Sequence, residues 1–296
     1  MLTLDRRRFT ALIGASLLAG PVLAQSRDAT PAGFKGKVFV TERGGVRVHT
    51  YMAEPAGAMV TSHIIETAAG PVLVDGQFVA ASARELRTYL DSLGGTPARV
   101  ILSHAHPDHW FGFAAAGISA VHAGPLTAKF VSENGAAVVA QRKVETTPPT
   151  IAGTIEAGDQ TIGGVTFRFR PVLDTEAPEI MTIELPAAGV LIAQDVVYNK
   201  VHAVVSRQLD QWIAALRAIE SRAGMVPVIL PGHGEPTAPA DLAGLMRYLE
   251  AVKPLLAANL GKPDQAAAIT AEIAKAFPEY RIPPLLTLGL SRALAG

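Results

Sequence analysis

Apolar positions along the chain fall into two rhythms. "KVFVTE", "VRVHTYMA" and "AMVTSHIIET" are short, β-branched and partly alternating, separated by "RGG" and "EPAG", and they predict strands joined by turns. "GPVLVDGQ", "ARVIL", "GVLIAQD" and "VPVIL" are unbroken apolar runs, as expected of buried strands. "AASARELRTYLDSLGG" and "LDQWIAALRAIES" repeat their apolar residues at helical spacing, the first stopping at Gly-Gly. "FGFAAAGI" and "LTAKFVSENGAAVVAQRKVE" also read as helical, and "TTPPT" as a connector. "TIEAGDQTIGGVTFRFRPVL" reads as a hairpin, and "IMTIELPAAGVLIAQD" as two strands around a small turn. Residues 240–276 are rich in alanine and leucine and predict helix. This order, without a repeat or a low-complexity linker, predicts an α/β domain over residues 25–240 and a helical extension over 241–296 packed on it.

The first 24 residues break the pattern. "MLTLDRRRFTALIGASLLAGPVLAQS" has a basic start, an apolar stretch and a small-residue ending at Val22-Leu23-Ala24. The apolar stretch is too short for a comfortable membrane span. "DRRRF" resembles a twin-arginine export signal, with Arg6, Arg7 and Phe9 in matching places. Residues 1–24 are therefore expected to be a cleavable signal and the mature protein periplasmic, without stable membrane association. Cleavage would remove Asp5 and the three arginines Arg6, Arg7 and Arg8, so a formally neutral chain would become mildly acidic.

Composition narrows the chemistry. The chain of 296 residues is 49% hydrophobic and 18% charged, enough apolar content for a packed core. Zero net charge and the lack of a basic patch give no footprint for nucleic acid. Cysteine is absent, which excludes disulfides, thiolate metal ligands and a cysteine nucleophile. No G-x-S-x-G elbow points to a serine hydrolase. Any metal must be held by histidine, aspartate and glutamate.

Such residues gather where apolar runs end. "VILSHAHPDH" ends in His104, His106, Asp108 and His109, "GVLIAQD" in Asp195 and "VPVILPGH" in His233. Loops at strand ends, held by a rigid sheet, are a common place for sites. Clustered imidazoles repel on protonation and lose solvation when buried. A metal removes both objections, since zinc binds neutral imidazole and carboxylate at about 2.0–2.2 Å. An aspartate between two metals can bridge them.

The His-x-His-x-Asp-His run at His104, His106, Asp108 and His109, followed by Asp195 and by "PGHGEP" with His233, resembles the metallo-β-lactamase superfamily over most of residues 37–240. The resemblance implies an αββα sandwich with two central sheets, outer helices and a metal site at one edge. It also implies a metal-dependent hydrolase. The superfamily usually carries a further histidine before the Asp195 position. This chain has none between His122 and His202, and offers Asp174, Glu176 or Glu179 instead. "TEAPEIM" resembles the alkylsulfatase branch, where a glutamate replaces that histidine. The comparison implies that Glu176 joins His104 and His106 at a first site, that Asp108, His109 and His233 form a second, and that Asp195 bridges. By similarity to the acyl-homoserine lactonase branch, Tyr198 would donate to a developing oxyanion. Asn199 and His202 could line the same mouth, and His49, His63 and His122 read as structural.

The combined expectation is a hydrolase with two zinc ions, acting on a small-molecule ester, lactone, thioester or β-lactam through a metal-bound hydroxide. Asp108 would bind the second metal and handle a proton. Iron or manganese is the alternative metal, and an iron oxidoreductase that uses dioxygen the alternative function. A non-catalytic binding protein on the same fold is a third reading. Oligomeric state leaves no mark in the sequence.

Overall fold

A computed structural model describes residues 26–295; the expected signal segment lies outside them. Thirteen strands and six α-helices follow one another along the chain. They are β1 Arg27–Asp28, β2 Lys37–Arg43, β3 Val46–Met52, β4 Thr61–Ile65, β5 Val72–Val74, α1 Ala80–Ser92, β6 Arg99–Leu102, β7 Ala120–Ala123, α2 Pro125–Arg142 and β8 Thr150–Thr154. Then come β9 Gly158–Ile162, β10 Val165–Leu173, β11 Glu179–Leu185, β12 Val190–Tyr198, α3 Leu209–Glu220, β13 Val228–His233, α4 Leu242–Ala258, α5 Ala266–Ala276 and α6 Pro283–Ala295. Strands β1 to β8 form one sheet in sequence order, and β13-β12-β11-β10-β9 form the other.

The unbroken apolar runs have a direct cause: their strands are covered on both faces. Val72 and Val74 of β5, Ile101 of β6 and Val190 and Ile192 of β12 pack into a core between the two sheets. Their alternate neighbours turn outward. Leu73, Val100 and Leu102 meet α1 and α2 residues such as Leu86, Leu90 and Val131. Leu191 and Ala193 meet Trp212 and Leu216 of α3 and Leu249 and Leu290 of the C-terminal helices. Three apolar layers thus hold four structural layers, helix–sheet–sheet–helix, and the C-terminal helices share the third layer with α3. Each fully buried Leu, Ile or Phe in these layers contributes about 1.5–3 kcal/mol of transfer free energy.

Parallel pairing begins where helices cross over, at β5–β6 through α1 and at β12–β13 through α3. "FGFAAAGI" departs from the helical expectation. It forms a run of turns ending at Gly117, with φ +69°. Gly112 N donates to Gln77 O at 2.8 Å, which ties this run to the segment after β5 instead of to a helical partner. The final helix α6, which opens on Pro283-Pro284, lies beyond the stretch whose composition predicts helix. No helix among the described residues is long and apolar enough to cross a membrane.

Candidate metal centre

One edge of the sandwich collects polar groups from both sheets. The loop after β6 carries His104, His106, Asp108 and His109, with a short 3-10 turn over Pro107–His109. It is anchored by fully buried Trp110, whose indole N–H donates to Ala105 O at 3.0 Å. Glu176 sits on the turn between β10 and β11, and His233 ends β13. Asp195 is not the end of its strand, as the apolar run suggested, because β12 continues to Tyr198. Its pairing with β13 shifts register around Gln194, where φ is +47°. Such a bulge re-aims the next side chain toward the site. Gly232 leaves room for it: a Cβ there would lie 1.8 Å from Asp195 Oδ1.

Besides Asp75 with His104 and His109, two larger groups of side chains could each hold a metal ion, His104, His106, Glu176 and Asp195 in one and Asp108, His109, Asp195 and His233 in the other. Asp195 is common to both. His104 Nε2 lies 3.6 Å from Asp195 Oδ2 and 3.9 Å from Glu176 Oε2. His109 Nε2 lies 3.1 Å from Asp195 Oδ1, and His233 Nε2 lies 3.4 Å from Asp195 Oδ2 and 3.3 Å from Asp108 Oδ2. His106 Nδ1 stands 2.8 Å from Glu176 Oε1. Of the three acidic residues left open by the sequence, Glu176 alone points here. Asp174 is exposed, at φ +50°, and Glu179 accepts from Thr127 N at 2.9 Å, near the start of α2.

The hydrogen bonds around the site indicate which ring nitrogen of His104, His109 and His233 carries the proton when the ring is neutral. His233 Nδ1 lies 2.8 Å from Ala58 O, which can only accept, so Nδ1 is the protonated nitrogen. His109 Nδ1 donates to the Asp75 carboxylate at 2.8 Å. Ser103 Oγ gives its proton to Asp75 Oδ2 at 2.7 Å and so accepts from His104 Nδ1 at 2.9 Å. In each neutral ring Nε2 is then a bare lone pair directed at the centre. All three Nε2 atoms are buried without a hydrogen-bond partner, as are both Glu176 carboxylate oxygens and Asp195 Oδ1. Buried acceptors without donors are costly, and six of them divided between these two groups fit bound cations.

The charges interact strongly. Burial alone would push His233 down, but Asp195 and Asp108 outweigh it and lift it to about 10. His109 rises against burial through Asp195 and Asp75, and His106 through Glu176. Burial opposes ionisation of Asp195, yet His109, His233 and His104 hold its carboxyl well below the usual range. Asp108 is held low in the same way by His233 and His109. Carboxylates this demanding are balanced either by protons on the imidazoles or by bound metal.

Tyr198 takes a different place from the open hydroxyl that an oxyanion donor needs. Its hydroxyl donates to Asp195 Oδ2 at 2.6 Å, and its ring stacks on His233 at 4.6 Å between centroids. That is a positioning contact. Asn199 and His202 also lie away from the mouth. Asn199 donates through its side chain to Glu235 O, and buried His202 joins Tyr248 and Tyr280 beneath the C-terminal helices. Sequence reasoning passed over Asp75, Ser103 and Gln194. Asp75 accepts from Ser103 N at 2.8 Å, from Ser103 Oγ and His109, and from the Gln194 side chain. Gln194 Oε1 in turn meets His63 Nε2 at 3.1 Å. The signal was present, because "GPVLVD" also runs from apolar strand to carboxylate.

No curated protein sequence matches the chain. Among solved structures, a β-lactamase domain protein from Burkholderia ambifaria is 21% identical, with TM-score 0.63, covering 93% of this chain and 91% of its own. A mono-zinc form of the metallo-β-lactamase FIM-1 from Pseudomonas aeruginosa is 18% identical, with TM-score 0.54, covering 75% of this chain and 98% of its own. The stereoselective inverting sec-alkylsulfatase Pisa1 from Pseudomonas sp. is 20% identical, with TM-score 0.54 over 83% of this chain. The present chain spans about half, 48%, of that enzyme. These likenesses support the two-sheet fold. The model of the metallo-β-lactamase superfamily matches residues 56–233, more than half of the sequence, and the chain belongs to that superfamily.

Proposed function

We propose that the protein is a metal-dependent hydrolase with two metal ions. His104, His106 and Glu176 would hold the first, Asp108, His109 and His233 the second, and Asp195 would reach both. The observation that carries this reading is the convergence of three imidazole Nε2 atoms and three carboxylate oxygens, all buried and without hydrogen-bond partners. Zinc suits a nitrogen and oxygen donor set of this kind. When bound, the ions would supply Lewis acidity and an activated water.

The chain's own part is orientation and proton handling. Asp75 and Ser103 hold the tautomers of His104 and His109, and Ala58 O holds that of His233. Asp108 is the one carboxylate of the three that reaches solvent, with 18% of its side chain exposed, against 0% for Glu176 and 1% for Asp195. It is ionised at neutral pH and placed to accept a proton at the mouth. The bond cleaved is of the ester, lactone, thioester or β-lactam kind. Metal analysis of the purified protein, with hydrolysis of one substrate of each kind before and after chelation, tests the reading. Full activity after complete chelation would refute it.

The three carboxylates among seven donors favour a second reading, iron with dioxygen chemistry. Tight iron together with oxygen uptake would displace the hydrolase.

A further inference from the structure

Seven large hydrophobic side chains are exposed among the described residues, and four of them crowd the edge of the site. Leu126 and Phe130 of α2 line one cavity of about 410 Å3. Phe78 and Val144 line a second of about 280 Å3, where Leu285 and Leu288 of α6 form part of the wall. The larger falls within the ~300–1,000 Å3 usual for small-molecule pockets. The two cavities adjoin, because His106, Pro107, Arg142 and Arg292 border both. An aqueous surface gains nothing from leaving apolar side chains bare around one opening.

The two arginines are the second observation. Arg142 closes α2 and Arg292 lies in the last turns of α6, so distant parts of the chain bring them to one place. Neither forms a salt bridge or a side-chain hydrogen bond among the described residues, so their guanidinium donors remain free. Partial loss of solvent and then the like charge of Arg142 hold Arg292 below the usual arginine range. Lone surface arginines are common. Two free ones bordering the same two apolar cavities, beside His106, call for an anion between them.

We propose that Arg142 and Arg292 are specificity-determining residues that clamp an anionic group of an apolar substrate, the anion being separate from the bond that is cut. The apolar body occupies the cavity of Leu126 and Phe130 or that of Phe78 and Val144. That the ligand is a substrate rests on the hydrolase reading; the anion clamp itself does not.

The test uses the full, metal-loaded chain and the Arg142→Gln/Arg292→Gln double variant. Both sites are exposed, so the fold is expected to persist. Calorimetric titration with decanoate, decylsulfonate and decylphosphonate, against neutral decanamide, reads the clamp directly. The expected result is that at least one anionic probe binds the wild-type protein more tightly than decanamide, and that the double variant binds it about 10- to 100-fold more weakly. The head group with the largest loss identifies the anion. Equal binding of charged and neutral probes by the wild-type protein would overturn the proposal. So would unchanged anion affinity in the variant, which would mean that the metals alone hold the head group. A second arm compares chain-matched aryl esters with and without a distal carboxylate. The variant should raise KM for the charged ester and leave kcat and the neutral ester unchanged. Cleavage of both esters with no arginine dependence defeats the clamp and leaves the hydrolase reading standing. Arginine-dependent binding with no cleavage of either ester does the reverse.

Discussion

Asp75→Asn is the most informative single change, because it removes a charge and leaves the shape. Asp75 has φ +63°, a backbone state that asparagine tolerates as well as aspartate does, so the loop after β5 is not strained by the exchange. Its Oδ2 accepts from Ser103 Oγ, His109 Nδ1 and Gln194 Nε2, while Oδ1 accepts from Ser103 N. An amide must turn its NH2 toward one of these sets. The less costly choice keeps oxygen at the Oδ2 position and sets the NH2 against Ser103 N–H, where a 2.8 Å hydrogen bond now stands. Leaving that buried N–H unsatisfied costs about 1–3 kcal/mol, and the three remaining bonds lose their charge assistance. His109 and, through Ser103, His104 are then less firmly held as lone-pair donors. Loss of such a supporting partner typically weakens metal binding about 10- to 100-fold, equivalent to about 1.4–2.7 kcal/mol. Chelator competition with zinc measures the affinity, and thermal unfolding of the metal-free protein measures the structural cost separately. Zinc affinity within about twofold of wild type would refute the claim that Asp75 sets the ligand tautomers.

Glu176→Ala should lower the bound metal from two equivalents to one, and two full equivalents in that variant would remove Glu176 from the ligand set. Gly289→Ala places a Cβ 2.3 Å from Val205 N and 2.8 Å from Val205 O, so α6 must shift. The expected cost is about 1–3 kcal/mol of stability, with altered KM for apolar substrates and unchanged metal content. Burial holds His63 down to about 4, against about 6.5 when unfolded. Between these values the unfolded state binds the extra proton, so stability is full above about pH 6.5 and falls by about 3 kcal/mol as the pH drops to about 4. His63→Gln should flatten that acid limb in chelator-treated protein; an unchanged limb would place the titration elsewhere.

Much of the site was legible because its residues follow one rule, a carboxylate or imidazole at the end of an apolar run. His104, His106, Asp108, His109 and His233 obey it within a residue or a short loop, and Asp195 obeys it through a bulge. Asp75 obeys it too, but its run "GPVLVDGQ" reads only as a buried strand and carries no histidine to draw attention to it. Glu176 lies on a turn with no apolar run pointing at it, so only family resemblance singled it out over Asp174 and Glu179. The pairing of two sheets was beyond periodicity for a physical reason. Strands covered on both faces, such as β5 and β12, lose the alternation that would mark an inner and an outer side. Helix α6 hid behind two prolines and a glycine, in a segment whose faces are both largely apolar. Arg142 and Arg292 carried no signal at all, since a pair of surface charges 150 positions apart becomes a pair only in the fold.

The division of the centre between two sheets has a consequence for how the protein is made. His104, His106 and His109 emerge during synthesis long before Asp195 and His233, and they come from the other half of the sandwich. Until β12 and β13 have docked, a growing chain presents His104, His106, Asp108 and His109, with Asp75 and Glu176, but lacks the Asp195 carboxylate that both larger groups share and the His233 that completes the second. On the two-metal proposal, capture of both ions would wait for the second half, and a chain that stalls or misdocks before that point would hold them less tightly. With two ions bound as proposed, metal occupancy would record completed assembly, and the ions would act as rivets joining the first-made half of the molecule to the last.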